Sequence, residues 1–281
     1  INSPNAIDGN RIDKCDSSAA AFQSAVTGTL DAVGSEDEIF VKIRELVSIL
    51  PSNNAEGGHM DECADELNRA CASLDTMKGD PRYILSEISD GHVFVEVKAD
   101  FAKEMTAGFI RLDGITVGAV ANCTTLHDPQ GNVTETFDAA LSARGCNKAA
   151  EFITFCDAFD IPVISLTNAA GFRATMCSEK NLAKALARLT YAFANAGVPK
   201  VNLIMEQAYG SAYAVMNAKS LGADLVYAWP DAKVGMMDAS MAAKIMYAGE
   251  SADVISQKAV EYDALQGSIN AAAARGYIDR I

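Results

Sequence analysis

Between residues 161 and 274, short apolar runs rich in β-branched side chains alternate with stretches of helical spacing, and this alternation leaves few possible architectures. IPVISL (161–166), VPKVNLIM (198–205) and ADLVYAW (223–229) read as strands, with KVGMM (233–237) a shorter one. Helical patterns fill the intervals near 178–196 and from Gly210, then run across 239–249 and 251–274. Strands spaced about 25–35 residues apart with helices between them are joined by crossovers, so the fold class is α/β.

Upstream, GFIRLDG followed by ITVGAVAN (108–122) predicts a hairpin whose two-residue turn is Asp113-Gly114. HVFVEV (92–97) predicts another strand, and 138–159 a helix. Apolar residues at 39, 40, 43, 46, 47 and 50 predict a helix over 37–50, with acids at its start where the helix dipole favours them. It should stop at Leu50, because a residue before proline avoids the helical region. Residues 52–80 are acidic and weakly patterned and read as a linker; residues 1–35 are polar and turn-rich. Two parts are therefore expected, 1–80 and 81–281.

The 281 residues carry 37 acids and 23 bases, a formal charge of −14. Residues 1–80 hold 15 acids and 6 bases, net −9, which leaves −5 for the remainder. So acidic a chain lacks the basic footprint that nucleic acid or an anionic membrane requires. Its seven cysteines include no CxxC pair and stand with only three histidines, which fits reduced thiols in a cytoplasmic protein better than disulfides or a structural zinc. No apolar stretch reaches the roughly 20 residues that span a bilayer. The chain opens at Ile1 in what reads as mid-protein sequence and is taken for a fragment.

Two expected strand-to-helix junctions carry small residues: 168–173 (NAAGFR) and 207–213 (QAYGSAY). At such a junction backbone N–H groups lack helical partners, and small side chains let a ligand oxygen approach them. Two junctions at neighbouring strand ends could hold one oxyanion between two N–H groups. Close packing alone also explains small residues there. Side-chain catalysts are scarce. His59, His92 and His127 sit in linker, strand and loop sequence; Cys146 and Cys156 fall in helical sequence; Cys177, near the first junction, is the one thiol worth testing. There is no GxSxG elbow, GxxxxGK[ST] loop or GxGxxG turn.

ARGCNKAAEFITFCDAFDIPVISLTNAAGF (143–172) and AGVPKVNLIMEQAYGSAYAVMNAKSLGADLVYAWPDAKVGMM (196–237) resemble the biotin-dependent acyl-CoA carboxyltransferases, through FCDAF-IP, VPKV, AYG-AY and YAWP in order. The hairpin and the closing AAARGYIDRI (272–281) resemble the family as well, and IRELVSILPSNN (43–54) resembles the segment between the two halves of such a subunit. The resemblance implies a crotonase-like ββα superhelix at 81–281, the C-terminal half that receives carboxybiotin, with 1–80 the end of an N-terminal half plus linker. It implies acyl-CoA as substrate, biotin on a carboxyl carrier protein as cofactor, a biotin carboxylase or membrane decarboxylase subunit as further partner, and a trimeric or hexameric homo-oligomer. By the same resemblance Gly210, Ser211 and Ala212 supply turn amides for a negative oxygen on the biotin ring. Gly171 and Phe172 supply the opposing amide and wall, and Ala170, Arg173, Tyr209, Tyr213 and Ala214 border the cofactor. NAAGF stands where the family often has DVPGF, and YGSAY where it has YGGAY. Two other readings fit: a catalytically diminished paralogue acting as an assembly scaffold, and a biotin-independent crotonase-fold hydrolase or isomerase of CoA esters.

Overall fold

A computed structural model describes residues 19–55, 62–66, 68–71 and 74–281. The first long helix, α1 (Glu36–Ile49), opens on a capping box: Ser35 Oγ accepts from the Glu38 N–H while the Glu38 carboxylate accepts from the Ser35 N–H at 2.7 Å. It ends at Leu50, whose ψ of 148° is extended ahead of Pro51, as the sequence predicts. Helix α2 (Pro81–Ile88) is capped by the Asp80 carboxylate.

Strands β1 (Phe94–Glu96), β2 (Met105–Leu112) and β3 (Ile115–Asn122) form an antiparallel meander. β1 is shorter than HVFVEV suggested, because His92 (φ 58°) still belongs to a tight turn. The predicted hairpin is present, with Asp113 and Gly114 both in the left-handed region (φ 53° and 76°) that a twisted two-residue turn requires. Short β4 (Thr125–His127) and β5 (Val133–Thr136) pair with each other, and β6 (Ala140–Leu141) leads into α3 (Ala143–Ala158). The helix expected from 138 thus starts five residues later, because its first residues are drawn into a strand.

From there the crossovers follow: β7 (Val163–Ala169), β8 (Gly171–Phe172), α4 (Met176–Asn195), β9 (Lys200–Tyr209), α5 (Gly210–Ala214), β10 (Leu225–Ala228) and β11 (Lys233–Gly235). The predicted helix over 239–249 is α6 (Ala239–Met246). The one expected over 251–274 is divided into α7 (Ala252–Tyr262) and α8 (Ile269–Ala274) by a wide turn at Asp263–Gly267. The main sheet has the order β1-β2-β3-β7-β9-β10, parallel from β3 onward. β9 serves two partners in turn: residues 201–204 face β10 and residues 207–209 face β11.

Alternation along β2 and β3 sorts the core by face. Phe109 and Val120 pack with Phe152, Ile153, Leu189 and Phe193 of α3 and α4, whereas Ile110, Val117 and Ala119 pack with Ile84 and Leu85 of α2. Ile49 of α1 is buried in the first cluster, and its carbonyl accepts from the Thr116 hydroxyl. A third cluster joins Ile204, Val226, Val234, Ile269 and Ile278 and seats α8 on the end of the sheet. Lys200 is buried, yet its ammonium donates to the Phe193 and Ala196 carbonyls at the end of α4, acceptors that a helix terminus leaves free.

Candidate functional site

The two small-residue bends leave the same end of adjacent parallel strands. β7 and β9 run in register from Val163 opposite Lys200 to Thr167 opposite Ile204, and then the register jumps to Ala169 opposite Ala208. Across that jump β7 uses one residue, Asn168, and β9 uses three, 205–207. The extra residues form a bulge that re-aims the strand end. They also carry β9 to Tyr209, four residues beyond VPKVNLIM, because Glu206 and Gln207 interrupt the apolar pattern without ending the strand.

The first bend is not a strand-to-helix junction. Gly171 and Phe172 pair with Ala140 and Leu141, so the chain makes a second short strand before α4 opens at Met176 with Thr175 as its cap. The Ala170 N–H donates to the Ala139 carbonyl at 2.7 Å and the Arg173 N–H to the Leu141 carbonyl at 2.9 Å, so both amides are engaged within the fold. Gly171 is partly exposed, and a Cβ placed on it would meet no atom within 4 Å. Phe172 is exposed beside it. The backbone of Cys177 lies in α4; its side chain is outside the described residues, as are His59 and Cys15.

The second bend is a true junction. Gly210 takes φ +54°, and a Cβ there would stand 2.8 Å from the Met236 carbonyl oxygen, so the chain itself demands glycine. No side chain caps α5 at Tyr209, and the N–H groups of 210–212 are in the first turn, where no intrahelical acceptor exists. Ser211 keeps a negative φ, so its hydroxymethyl group is accommodated without strain. Helix α5 packs against both β7 and β8, which places the two bends beside each other.

Gly210, Ser211, Tyr213 and Ala214 line one side of an open groove of about 770 Å³. Met236, Tyr262, Gln266, Arg275 and Tyr277 line it as well. None of these five was named as a site residue from the sequence; they come from just after β11, the end of α7, the turn at Asp263–Gly267 and the segment after α8, and nothing in their local pattern marks them. Ala170, Gly171, Phe172, Tyr209 and Ala212 do not border this groove, and Arg173 lines a separate hollow of about 190 Å³ with Glu104, Phe137 and Asp138. Tyr209 and Tyr213 are buried, and burial raises both phenols to about 12, so they stay neutral at ordinary pH.

Side-chain chemistry near the bends is sparse. His127 is bound at 3.2 Å to the buried Asp80 carboxylate, which also pairs with Arg82; His92 stands beside Glu87. Burial pushes the Cys123 and Cys146 thiols to about 12 and Cys156 higher still, so none is a thiolate at neutral pH. Among the described residues no group of three or more His, Cys, Asp or Glu side chains could hold a metal ion.

The model of the carboxyl transferase domain family matches residues 5–281, and the chain belongs to that family. It is 36% identical over 286 residues to a putative propionyl-CoA carboxylase beta chain of Bacillus subtilis, across 98% of this chain and 54% of that relative. It is 32% identical over 276 residues to the methylmalonyl-CoA carboxyltransferase 12S subunit of Propionibacterium freudenreichii subsp. shermanii, across 93% of this chain and 51% of that subunit. The chain thus spans about half the length of the curated relatives it matches. Among solved structures, transcarboxylase 12S with methylmalonyl-coenzyme A and methylmalonic acid bound superposes with a TM-score of 0.87 at 30% identity, over 99% of this chain and 55% of that one. The fold is the crotonase-like α/β superhelix expected from the resemblance. No helix among the described residues is long and apolar enough to cross a membrane.

Proposed function

We propose that this chain is the carboxybiotin-side half of an acyl-CoA carboxyltransferase, which moves CO2 between biotin on a carrier protein and the α-carbon of an acyl-CoA. The observation that carries this reading is the meeting of two bends at one end of the sheet, an uncapped helix start beside an open glycine. The fit to biotin is chemical. A neutral ureido ring asks for hydrogen-bond donors at its oxygen and for uncrowded space, and the N–H groups of 210–212 and the empty volume before Gly171 offer these. When bound, biotin supplies a ureido nitrogen that can carry CO2. This chain's part is to hold negative charge as it develops on a ring oxygen, with Gly210, Ser211 and Ala212 as donors; one such donor is worth about 3 kcal/mol of barrier. Tyr213 and Ala214 line the groove beside these donors, and Gly171 and Phe172, with Ala170, Arg173 and Tyr209 next to them, would complete the site from the neighbouring bend outside that groove.

We assign residues 1–80 to the end of an N-terminal half and its linker, and 81–281 to the carboxybiotin domain, with α1 docked on the latter through Ile49. The acyl-CoA would then be held outside this segment, and the partners would be a biotin carboxyl carrier protein, a biotin carboxylase or membrane decarboxylase subunit, and further copies of the chain. Cys63, Cys71, Cys123, Cys146 and Cys156 are free thiols, which supports a reducing, cytoplasmic setting. The test is carboxyl transfer between free biotin and short acyl-CoA thioesters by the full-length protein, followed by chromatography of the CoA esters. No transfer from an intact oligomer would favour an assembly scaffold. Turnover of CoA esters that avidin leaves unchanged would favour a hydrolase or isomerase.

A further inference from the structure

Across the carboxyl end of the sheet, one polar side chain from each of three strands meets its neighbour: Asn122 on β3, Asn168 on β7 and Glu206 on β9. The ladder between β3 and β7 ends at Ala121 opposite Leu166, and there the Asn122 side-chain oxygen accepts the Asn168 backbone N–H at 3.0 Å. Asn168 is 1% exposed, and its side-chain amide donates to the Glu206 carboxylate at 2.5 Å. The Asn168 Oδ1 has no partner among the described residues. This last bond falls inside the register jump. It is the side-chain tie between β7 and β9 where their backbones are out of step, two residues before Gly171's neighbour Ala170 and four before Gly210.

We propose that Asn168 and Glu206 are a positioning pair which fixes the bulge in β9 and so sets how the two bends face each other. The proposal deepens the carboxyltransferase reading and rests on it for its functional consequence, though not for its structural one. Two features support a positional role. A bulge without a tie has several nearly equivalent registers, and a charge-assisted hydrogen bond selects one. The chemistry of the pair is also asymmetric: the Asn168 amide donates and an ionised Glu206 can only accept, so the bond runs in one direction. Exchanging the two types should therefore preserve the tie, whereas two carboxylates at this distance cannot both stay ionised.

The experiment uses the full-length protein in its native oligomer. Hydrogen exchange read by mass spectrometry follows the peptides over 168–173 and 208–214 in wild type, E206A, E206Q, N168D and the exchanged pair N168D/E206Q. In E206A, and in N168D once the pH is high enough to ionise both carboxylates, exchange in both peptides should rise about ten- to a hundredfold, the equivalent of one lost charge-assisted hydrogen bond. The exchanged pair, which keeps an amide donor facing a carboxylate, should stay within about twofold of wild type, and E206Q, which keeps the donor and acceptor but loses the charge, should fall between wild type and E206A. Carboxyl transfer should follow in kcat, with KM for the CoA ester unchanged. Wild-type exchange in E206A, a rise spread evenly over the chain, or no recovery in the exchanged pair would each overturn the positioning role. If wild type transfers no carboxyl group, the functional reading falls, and the exchange data still decide the pair.

Discussion

The two bend glycines answer to different constraints, and substituting them separates structure from chemistry. Gly210 has φ +54°, a region that costs an L-residue about 1–2 kcal/mol. Its added Cβ would stand 2.8 Å from the Met236 carbonyl oxygen, closer than real contacts, and that oxygen belongs to backbone next to β11 and cannot simply rotate away. Gly210→Ala should therefore destabilise the protein by about 2–3 kcal/mol. Gly171 has neither constraint: its φ is not positive, and a Cβ would meet nothing within 4 Å. Gly171→Val should leave stability within about 0.5 kcal/mol, or raise it slightly through the unfolded chain. Under the proposed function, however, the valine occupies the space a ring would enter, and carboxyl transfer should fall about a hundredfold or more. Urea unfolding and transfer kinetics on the same preparations read both quantities. A Gly210→Ala protein as stable as wild type would refute the backbone reasoning. A Gly171→Val protein with full transfer activity would show that the open space before Gly171 is not used.

Three more outcomes follow from buried and exposed groups elsewhere. Lys148 is 2% exposed, donates to the Lys98 and Phe101 carbonyls, and is lowered to about 8 by burial, against the pull of Glu96 and Glu104. Between pH 8 and 10 the unfolded chain binds more protons at this site, so Lys148 adds stability with rising pH, about 2 kcal/mol over the window. Buried thiols and tyrosines act in the opposite direction at higher pH, so the readout is the difference between wild-type and Lys148→Met unfolding curves; parallel curves would refute it. Asp80→Ala leaves Arg82 and the His127 N–H without their carboxylate and should cost about 3–5 kcal/mol by urea denaturation. The Asp80 carboxyl is held below its ordinary value by Arg82 and His127 in spite of burial, so its contribution is present at neutral pH and lost as pH falls below about 4. Met241→Glu and Ile245→Glu change exposed apolar side chains of α6 and should leave single-chain stability within about 0.5 kcal/mol; if the proposed homo-oligomer uses this face, sedimentation velocity should show its loss, and unchanged sedimentation would place the contact elsewhere.

Where local physics decides the backbone, the sequence was legible. Asp113-Gly114 specified a twisted hairpin turn, the acids at 36–38 and Pro51 bounded α1, and the alternation of strand and helix set the parallel half of the sheet. Where a distant segment decides, it was not. Gly171 and Phe172 are a strand because Ala140 and Leu141, about thirty residues upstream, pair with them, and the helical spacing of 138–159 concealed that edge. The long helix expected over 251–274 is interrupted at Asp263–Gly267, where a Cβ on Gly267 would meet the Asp263 carboxylate and where Lys233 pairs with Asp263 and Ser268. The Lys233 contacts come from β11 and leave no local trace in helical sequence.

The site itself was partly legible for a different reason. Every residue but proline carries an N–H group, so a constellation of main-chain donors has no compositional signature; what a sequence can display is the absence of side chains around it. That absence is ambiguous until each position is tested against its own fold. Gly210 proves to be required by its own chain, through its φ and the Met236 carbonyl, so its presence says nothing by itself about a ligand. Gly171 is required by nothing within 4 Å and sits in a conformation any residue could adopt. A glycine without an internal cause at the edge of a sheet, beside an uncapped helix start, is a more direct sign that something outside the chain needs the space. The same logic orders the polar row beneath. Asn168 and Glu206 would be costly inside an ordinary bulge, which apolar residues could fill, and their place between the two bends ties that cost to keeping the bends in fixed relation.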